Sequence, residues 1–258
     1  MAKERPLILV TNDDGINAPG IRALIDVMLT LGDVCVVAPD SPQSGMGHAI
    51  TMNDAIYCNQ IKLQKEALHF EYSCSGTPVD CVKLAINEIL KRKPDLCVSG
   101  INHGSNSSIN VIYSGTMSAA VEAGTSGIPA IGFSLLDSSQ EADFNPAKKY
   151  VKLIAEQTLR NGLPTGVVLN VNIPKLSLNE IQGIKICRQA NAYWKEIFDK
   201  RTNPVGRDYY WLTGEFINQD KGKDTDEWAL EQGYISVVPV QFDLTAHHAI
   251  NELNTWKF

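Results

Sequence analysis

The sequence has no C-x-x-C pair, no histidines at zinc-finger spacing and no apolar run of membrane-spanning length. Six cysteines (Cys35, Cys58, Cys74, Cys81, Cys97, Cys187) are scattered, several of them inside apolar strand-like runs. They read as buried free thiols of a reducing compartment. Positive charge is also short: 23 Lys and Arg stand against 29 Asp and Glu, a formal net charge of -6. That balance opposes broad attraction to nucleic acid or anionic lipid. The opening "MAKERPLILVTNDD" has an apolar stretch too short for a secretory signal. The expectation is a cytoplasmic protein with neither a nucleic-acid polymer nor a membrane as partner.

Several familiar signatures fail as well. "GINAPGIR" has the two glycines of a P-loop, but Ile21 and Arg22 stand where Lys and Ser/Thr must hold phosphate and magnesium. "GMGHAI" starts like a dinucleotide fingerprint yet has Ile50 in place of the last glycine. No G-x-S-x-G elbow and no H-E-x-x-H helix occurs. A receiver domain also carries paired acids after its first strand. It needs a phosphoacceptor Asp and a late strand-end Lys, which "CVSGIN" and "GFSL" do not supply.

What is present is ample apolar material: 44% of 258 residues is hydrophobic and 20% charged, enough for a full core. "LILV" and "DVCVVAP" are continuous apolar runs of the kind buried on both faces of a parallel sheet. Between them Ile21, Leu24, Ile25 and Met28 recur at helical spacing, with Pro19 in the first turn and Gly32 expected as the C-terminal cap. From about His48 to Tyr72 short β-like runs suggest an inserted hairpin or meander. The pattern then resumes. Thr77 and Pro78 open a helix, "DLCVSG" is a strand, "YSGTMSAAVEAG" a small-residue helix, "IPAIGFSL" a strand. A helix from Pro146 to about Arg160 and the strand "GVVLNVN" complete the series. Strands alternating with helices imply a doubly wound, mainly parallel α/β sheet. A soft boundary near Pro174 divides an α/β core, residues 1–174, from residues 175–258, read as an extended arm, a strand and a last helix that complete the fold.

In such a sheet functional groups collect in the loops at the carboxyl ends of the strands. Here those loops read "TNDDG", "PDSPQSGMGH", "SGINHGSN" and "YSGT", a set of hard oxygen donors and glycines that suits Mg²⁺ or Mn²⁺ better than zinc. Asp13 and Asp14 repel one another unless a cation neutralises them, although acids there also cap helices. Ser114, Gly115 and Thr116 sit where a helix begins, so their N–H groups either cradle a phosphate or serve plain capping. His103 is a candidate proton donor or a solvated loop residue; His247 and His248 read as structural or surface groups.

The motifs "TNDDG", "APDSPQSGMGHAIT", "CSGTPVDCV", "PDLCVSGINHGSN" and "YSGTMSAAVEAGTSGIPAIGFSL", in this order, closely resemble the SurE family of survival proteins, metal-dependent 5'/3'-nucleotidases. The resemblance runs from about Leu7 to Leu135, with echoes in "VLNVNIP" and "GYISVVPV". It implies a Rossmann-like core and an extended C-terminal part used in a homodimer or homotetramer. It also implies a divalent metal held by Asp13, Asp14, Ser44 and Asn102. Asp13, Asp14 and Asn102 are then the catalytic candidates, and Asn12, Gly45, Asn106, Ser114, Gly115 and Thr116 the substrate- or phosphate-binding ones. The chain departs from common family patterns at Ser41 and Gln43, where a basic residue is frequent, and at Ser108, Ile109 and Asn110.

The expected reaction is hydrolysis of a nucleoside 5'- or 3'-monophosphate, and possible short polyphosphate, by a metal-activated water. The alternative is a non-catalytic phospho-ligand module or receiver that uses the same acidic mouth. Tyr193, Trp194, Phe198, Tyr209, Tyr210 and Trp211 supply aromatic surface without a pattern that buries it in the chain's own core. They point to a second subunit, or to an arm folded back on its own sheet.

Overall fold

The computed structural model describes residues 5–64, 69–139 and 141–258; positions 65–68 of the inserted run lie outside the described residues. The chain opens with β1 (Leu7–Thr11), α1 (Pro19–Met28) and β2 (Asp33–Pro39), then β3 (Cys58–Gln64) and β4 (His69–Cys74). After α2 (Pro78–Leu84) come β5 (Leu96–His103), α3 (Gly115–Thr125), β6 (Ala130–Leu135), α4 (Asn145–Asn161) and β7 (Val167–Ile173). Then follow β8 (Gly183–Ile186), β9 (Ala192–Thr202), β10 (Asp208–Asn218), α5 (Asp226–Glu231), β11 (Tyr234–Gln241) and α6 (His247–Leu253).

Nine strands form one sheet in the order β3-β4-β2-β1-β5-β6-β7-β11-β8. β4, β2, β1, β5, β6 and β7 run parallel; β3 is antiparallel to β4, and β11 to β7. The parallel part has the Rossmann-like doubly wound order, and the chain reverses direction between β1 and β5. β3 and β4 are the inserted hairpin. The run "HAITM" is loop, held by Thr51, whose N–H and hydroxyl both donate to the Asp80 carboxylate. The last segment of the chain adds β8 and β11 to the main sheet, while among the described residues β9 and β10 pair only with each other.

Because side chains alternate along a strand, the sheet has two cores. Ile8, Val10, Val34, Val36, Phe133 and Val171 face α1 and α4; Leu9, Cys35, Val37, Cys97 and Ala130 face α2 and α3. This layering gives the crossovers different hands. β1 to β2 moves one way along the sheet with α1 on the first face. β4 to β5 and β5 to β6 move the other way with α2 and α3 on the second face, so these three share one hand. β6 to β7 moves with them, yet α4 lies on the first face with α1. Its crossover therefore has the opposite hand, against the right-handed rule for βαβ units.

Helix α1 buries Ile21, Leu24, Ile25 and Met28 as their spacing requires. It ends at Leu29, so Gly32 is no cap. A Cβ there would lie 2.3 Å from the Pro6 carbonyl oxygen, and the need for glycine is close approach of two chain segments. Thr77 and Asp80 form a capping box at α2 with Pro78 in the first turn. The helix passes into a π-helical turn at Ala85–Ile89.

Candidate active site

At the β1/β5 reversal the loops after β1, β2 and β5 and the start of α3 converge. Asp13 is buried, and its carboxylate accepts the Thr116 hydroxyl at 2.5 Å. A Cβ on Gly115 would lie 2.8 Å from the Asp13 Cβ, so α3 begins directly against this aspartate. Asp14 is partly buried and accepts the His103 backbone N–H at 3.2 Å. Burial pushes the Asp13 carboxyl up to about 6, with the Asp14 charge adding to it and the Thr116 hydrogen bond opposing it. Burial also raises Asp14, against the His103 N–H. Among the described residues no Lys or Arg pairs with either carboxylate.

Asn12 shapes the turn by donating its side-chain amide to the Gly15 carbonyl at 2.9 Å; its Oδ1 is buried without a protein partner. The loop after β2 is stitched to the first: Ile16 N–H donates to the Pro39 carbonyl at 2.8 Å and Gln43 N–H to the Asp13 carbonyl at 2.7 Å. Ser44 is the next residue and is exposed; Gly45 follows at φ +76°, where the loop turns back. Gly47 N–H donates to the Tyr113 carbonyl, and the His48 ring meets Glu122 of α3 at 2.9 Å. Lys83 donates to the same Glu122 at 2.6 Å.

From β5, Asn102 donates its amide N–H groups to the carbonyls of His103 (3.1 Å) and Gly104 (2.9 Å). That assigns Oδ1, a hard acceptor, to the other side of the amide. His103 packs edge-on to Phe144, ring centroids 4.9 Å apart. Asn106 is held within a buried net: its N–H donates to Asn172 Oδ1 and its Nδ2 to Ser134 Oγ, while its carbonyl accepts from Asn170 Nδ2, all at 2.8 Å. Ser114 caps α3 by accepting the Met117 N–H at 3.0 Å. His247 and His248 lie in the exposed α6.

Thus Asp13, Asp14, Gly115 and Thr116 are in direct contact or one bond removed, with Asn102 and His103 at the adjoining strand end and Ser44 in the stitched loop. Sequence patterns alone miss the groups that hold these loops. Asn170 and Asn172 alternate with apolar residues of β7, a period-two polar signal inside a buried strand. Asp226 accepts from the backbone of Ser108 and Ala190, and Glu227 from the Ser107 hydroxyl, fixing the loop after β5 from across the chain.

The donors fit a hard divalent cation. Two adjacent acids with no Lys or Arg partner among the described residues, an amide oxygen and an exposed hydroxyl, with an orphaned carbonyl oxygen on Asn12, form an all-oxygen set.

The chain is similar to known proteins over most of its length. The family model described as survival protein SurE matches residues 8–196. A protein of Christiangramia forsetii named 5'-nucleotidase SurE is 73% identical over 257 residues, covering 100% of this chain and 99% of the relative. A Flavobacterium johnsoniae protein of the same name is also 73% identical over 257 residues. The crystal structure of the SurE protein from Aquifex aeolicus superposes with a TM-score of 0.83 at 39% identity, covering 96% of this chain and 98% of that one.

Proposed function

Since the chain belongs to the SurE family and is a 5'-nucleotidase, we propose that it hydrolyses nucleoside 5'- and 3'-monophosphates with a divalent cation, Mg²⁺ or Mn²⁺, at the β1/β5 edge. The observation that carries this reading is the buried Asp13 beside Asp14, with no Lys or Arg paired to either among the described residues. Asp13, Asp14, Ser44 and Asn102 would hold the cation. When bound, such an ion would offset the charge of the paired acids and supply Lewis-acid activation of phosphate and water.

The chain's own groups do the placing. Thr116 holds the Asp13 carboxylate by a charge-assisted bond and opposes the effect of burial, so that it stays ionised near neutrality. The His103 N–H fixes Asp14, and the two carbonyls that engage the Asn102 amide keep its oxygen oriented. The first turn of α3 lends partial positive charge to an incoming phosphate. A cavity of about 280 Å³ lined by Tyr113 and Trp194 opens one residue before the Ser114 cap. Its aromatic faces suit a nucleoside, and Asn110 fixes Trp194 through the indole N–H at 2.8 Å.

Two further readings belong to the proposal. Six free thiols suit a reducing compartment, the cytoplasm; no helix among the described residues is long and apolar enough to cross a membrane. The exposed aromatics of β9 and β10 suit a homodimer or homotetramer, since the hairpin stands outside the main sheet.

The test is phosphate release from 5'- and 3'-nucleoside monophosphates and short polyphosphate, after chelation and after return of Mg²⁺, Mn²⁺ or Zn²⁺. Loss on chelation and recovery with Mg²⁺ or Mn²⁺ supports the reading. Undiminished turnover after exhaustive chelation overturns it.

A further inference from the structure

Five of the six cysteines share one side of the sheet. Cys35 of β2, Cys74 of β4, Cys81 of α2 and Cys97 of β5 are buried in the core under α2 and α3, and the partly exposed Cys58 of β3 packs against them. Cys58 and Cys74 are register partners at the end of the antiparallel β3/β4 ladder. The Ser75 N–H donates to the Tyr57 carbonyl at 2.8 Å, so Tyr57/Ser75 is the hydrogen-bonded pair and Cys58/Cys74, next to it, is non-hydrogen-bonded. Pairs of that type bring Cα atoms to about 4.5 Å, with the side chains on one face at their closest. A disulfide spans Cα separations of about 4.4–6.8 Å. Cys81 of α2 lies in the same buried cluster as Cys74.

We propose that Cys58 and Cys74 form an oxidation site, in which a peroxide converts the cross-strand pair into a disulfide. The Cys74 thiolate attacks one oxygen of hydrogen peroxide; the O–O bond breaks, hydroxide leaves as water with a proton, and Cys74 becomes a sulfenic acid. The Cys58 sulfur then attacks the Cys74 sulfur, the S–OH bond breaks and a second water leaves. Two thiols are oxidised by two electrons, and one peroxide is reduced to two waters.

The environments of the thiols agree with this order. Cys74 is held down to about 7, the neighbouring Cys81 thiol being the largest cause. Burial pushes Cys58 up to about 11 and Cys35 and Cys97 to about 12. Thiolate therefore concentrates on Cys74, and Cys58, the partly exposed member, lies on the side open to a small oxidant.

The whole native protein, treated with graded hydrogen peroxide, quenched by alkylation and mapped without reduction, tests this. A Cys58–Cys74 linked peptide should accumulate before Cys187 changes and disappear with a dithiol reductant. Cys74→Ser should abolish the linkage, and Cys187→Ser should leave it unchanged. The proposal is overturned if Cys58 and Cys74 both stay fully alkylated at peroxide levels that oxidise Cys187.

Discussion

The Thr116 hydroxyl reaches across from the first turn of α3 to the Asp13 carboxylate at the end of β1, at 2.5 Å. The helix start that could cradle a phosphate is thus first of all the clamp on an aspartate. Substrate and Asp13 share one helix end, and changes to either are felt by both.

Asp13→Asn and Asp14→Asn should each lower turnover by at least about two orders of magnitude, the scale of losing one electrostatic contact to the transition state. Both should fold, because each removes a repelled charge rather than a packing contact. Steady-state phosphate release together with circular dichroism decides; full turnover in both variants refutes the site.

Gly115→Val should impair metal affinity as well as turnover. Any Cβ at this position collides with Asp13, so the substitution moves the carboxylate before it meets substrate. Calorimetric Mn²⁺ titration beside kinetics checks this, and unchanged metal affinity with lost turnover would return Gly115 to a role in phosphate contact alone.

Acid should unfold the protein partly through Glu71. This buried carboxylate pairs with Arg22 at 2.7 Å, His69 at 2.9 Å and Lys62 at 3.4 Å. Burial acts to raise it, but the three partners together hold it below its ordinary value of 4.5. A carboxyl depressed in the folded state contributes stability that is present above 4.5 and is lost as pH falls through the folded value. His69 adds to the slope: burial first, then Lys62, lowers it from 6.5, so stability also falls as pH drops below 6.5. Glu71→Gln should cost about 3 kcal/mol at pH 7, the lower end for breaking a buried pair, and flatten the loss of Tm below pH 4.5.

Light scattering on the whole protein should report a dimer or larger at micromolar concentration. Trp194, Tyr210 and Trp211, each exposed in the single chain, changed together to Ser should shift it toward monomer. A monomeric wild type refutes the assembly, and a variant that stays oligomeric moves the interface off the hairpin.

Much of this was readable in advance, for reasons that can be named. The α1 face, the Thr77 cap and the parallel strands follow from local rules of spacing and capping, and the donors gather where a doubly wound sheet collects them. Gly32 misled because close approach to Pro6 leaves the same glycine in the sequence as a cap does. The Asn170, Asn172 and Asp226 anchors could not be assigned, because the loop they hold is brought to them only by tertiary structure. Nor does any local pattern encode on which face α4 returns.

That return has a consequence for how the protein folds. Because α4 crosses back over α1, Phe144, the residue just before it, sits beneath the end of β5 and meets the His103 ring edge-on. A chain with β1 to β6 paired and α4 still undocked would already own both aspartates, yet His103 would lack the ring that steadies it. The acidic edge is therefore complete only once the one helix with the unusual hand has docked, through a contact between residues distant in sequence.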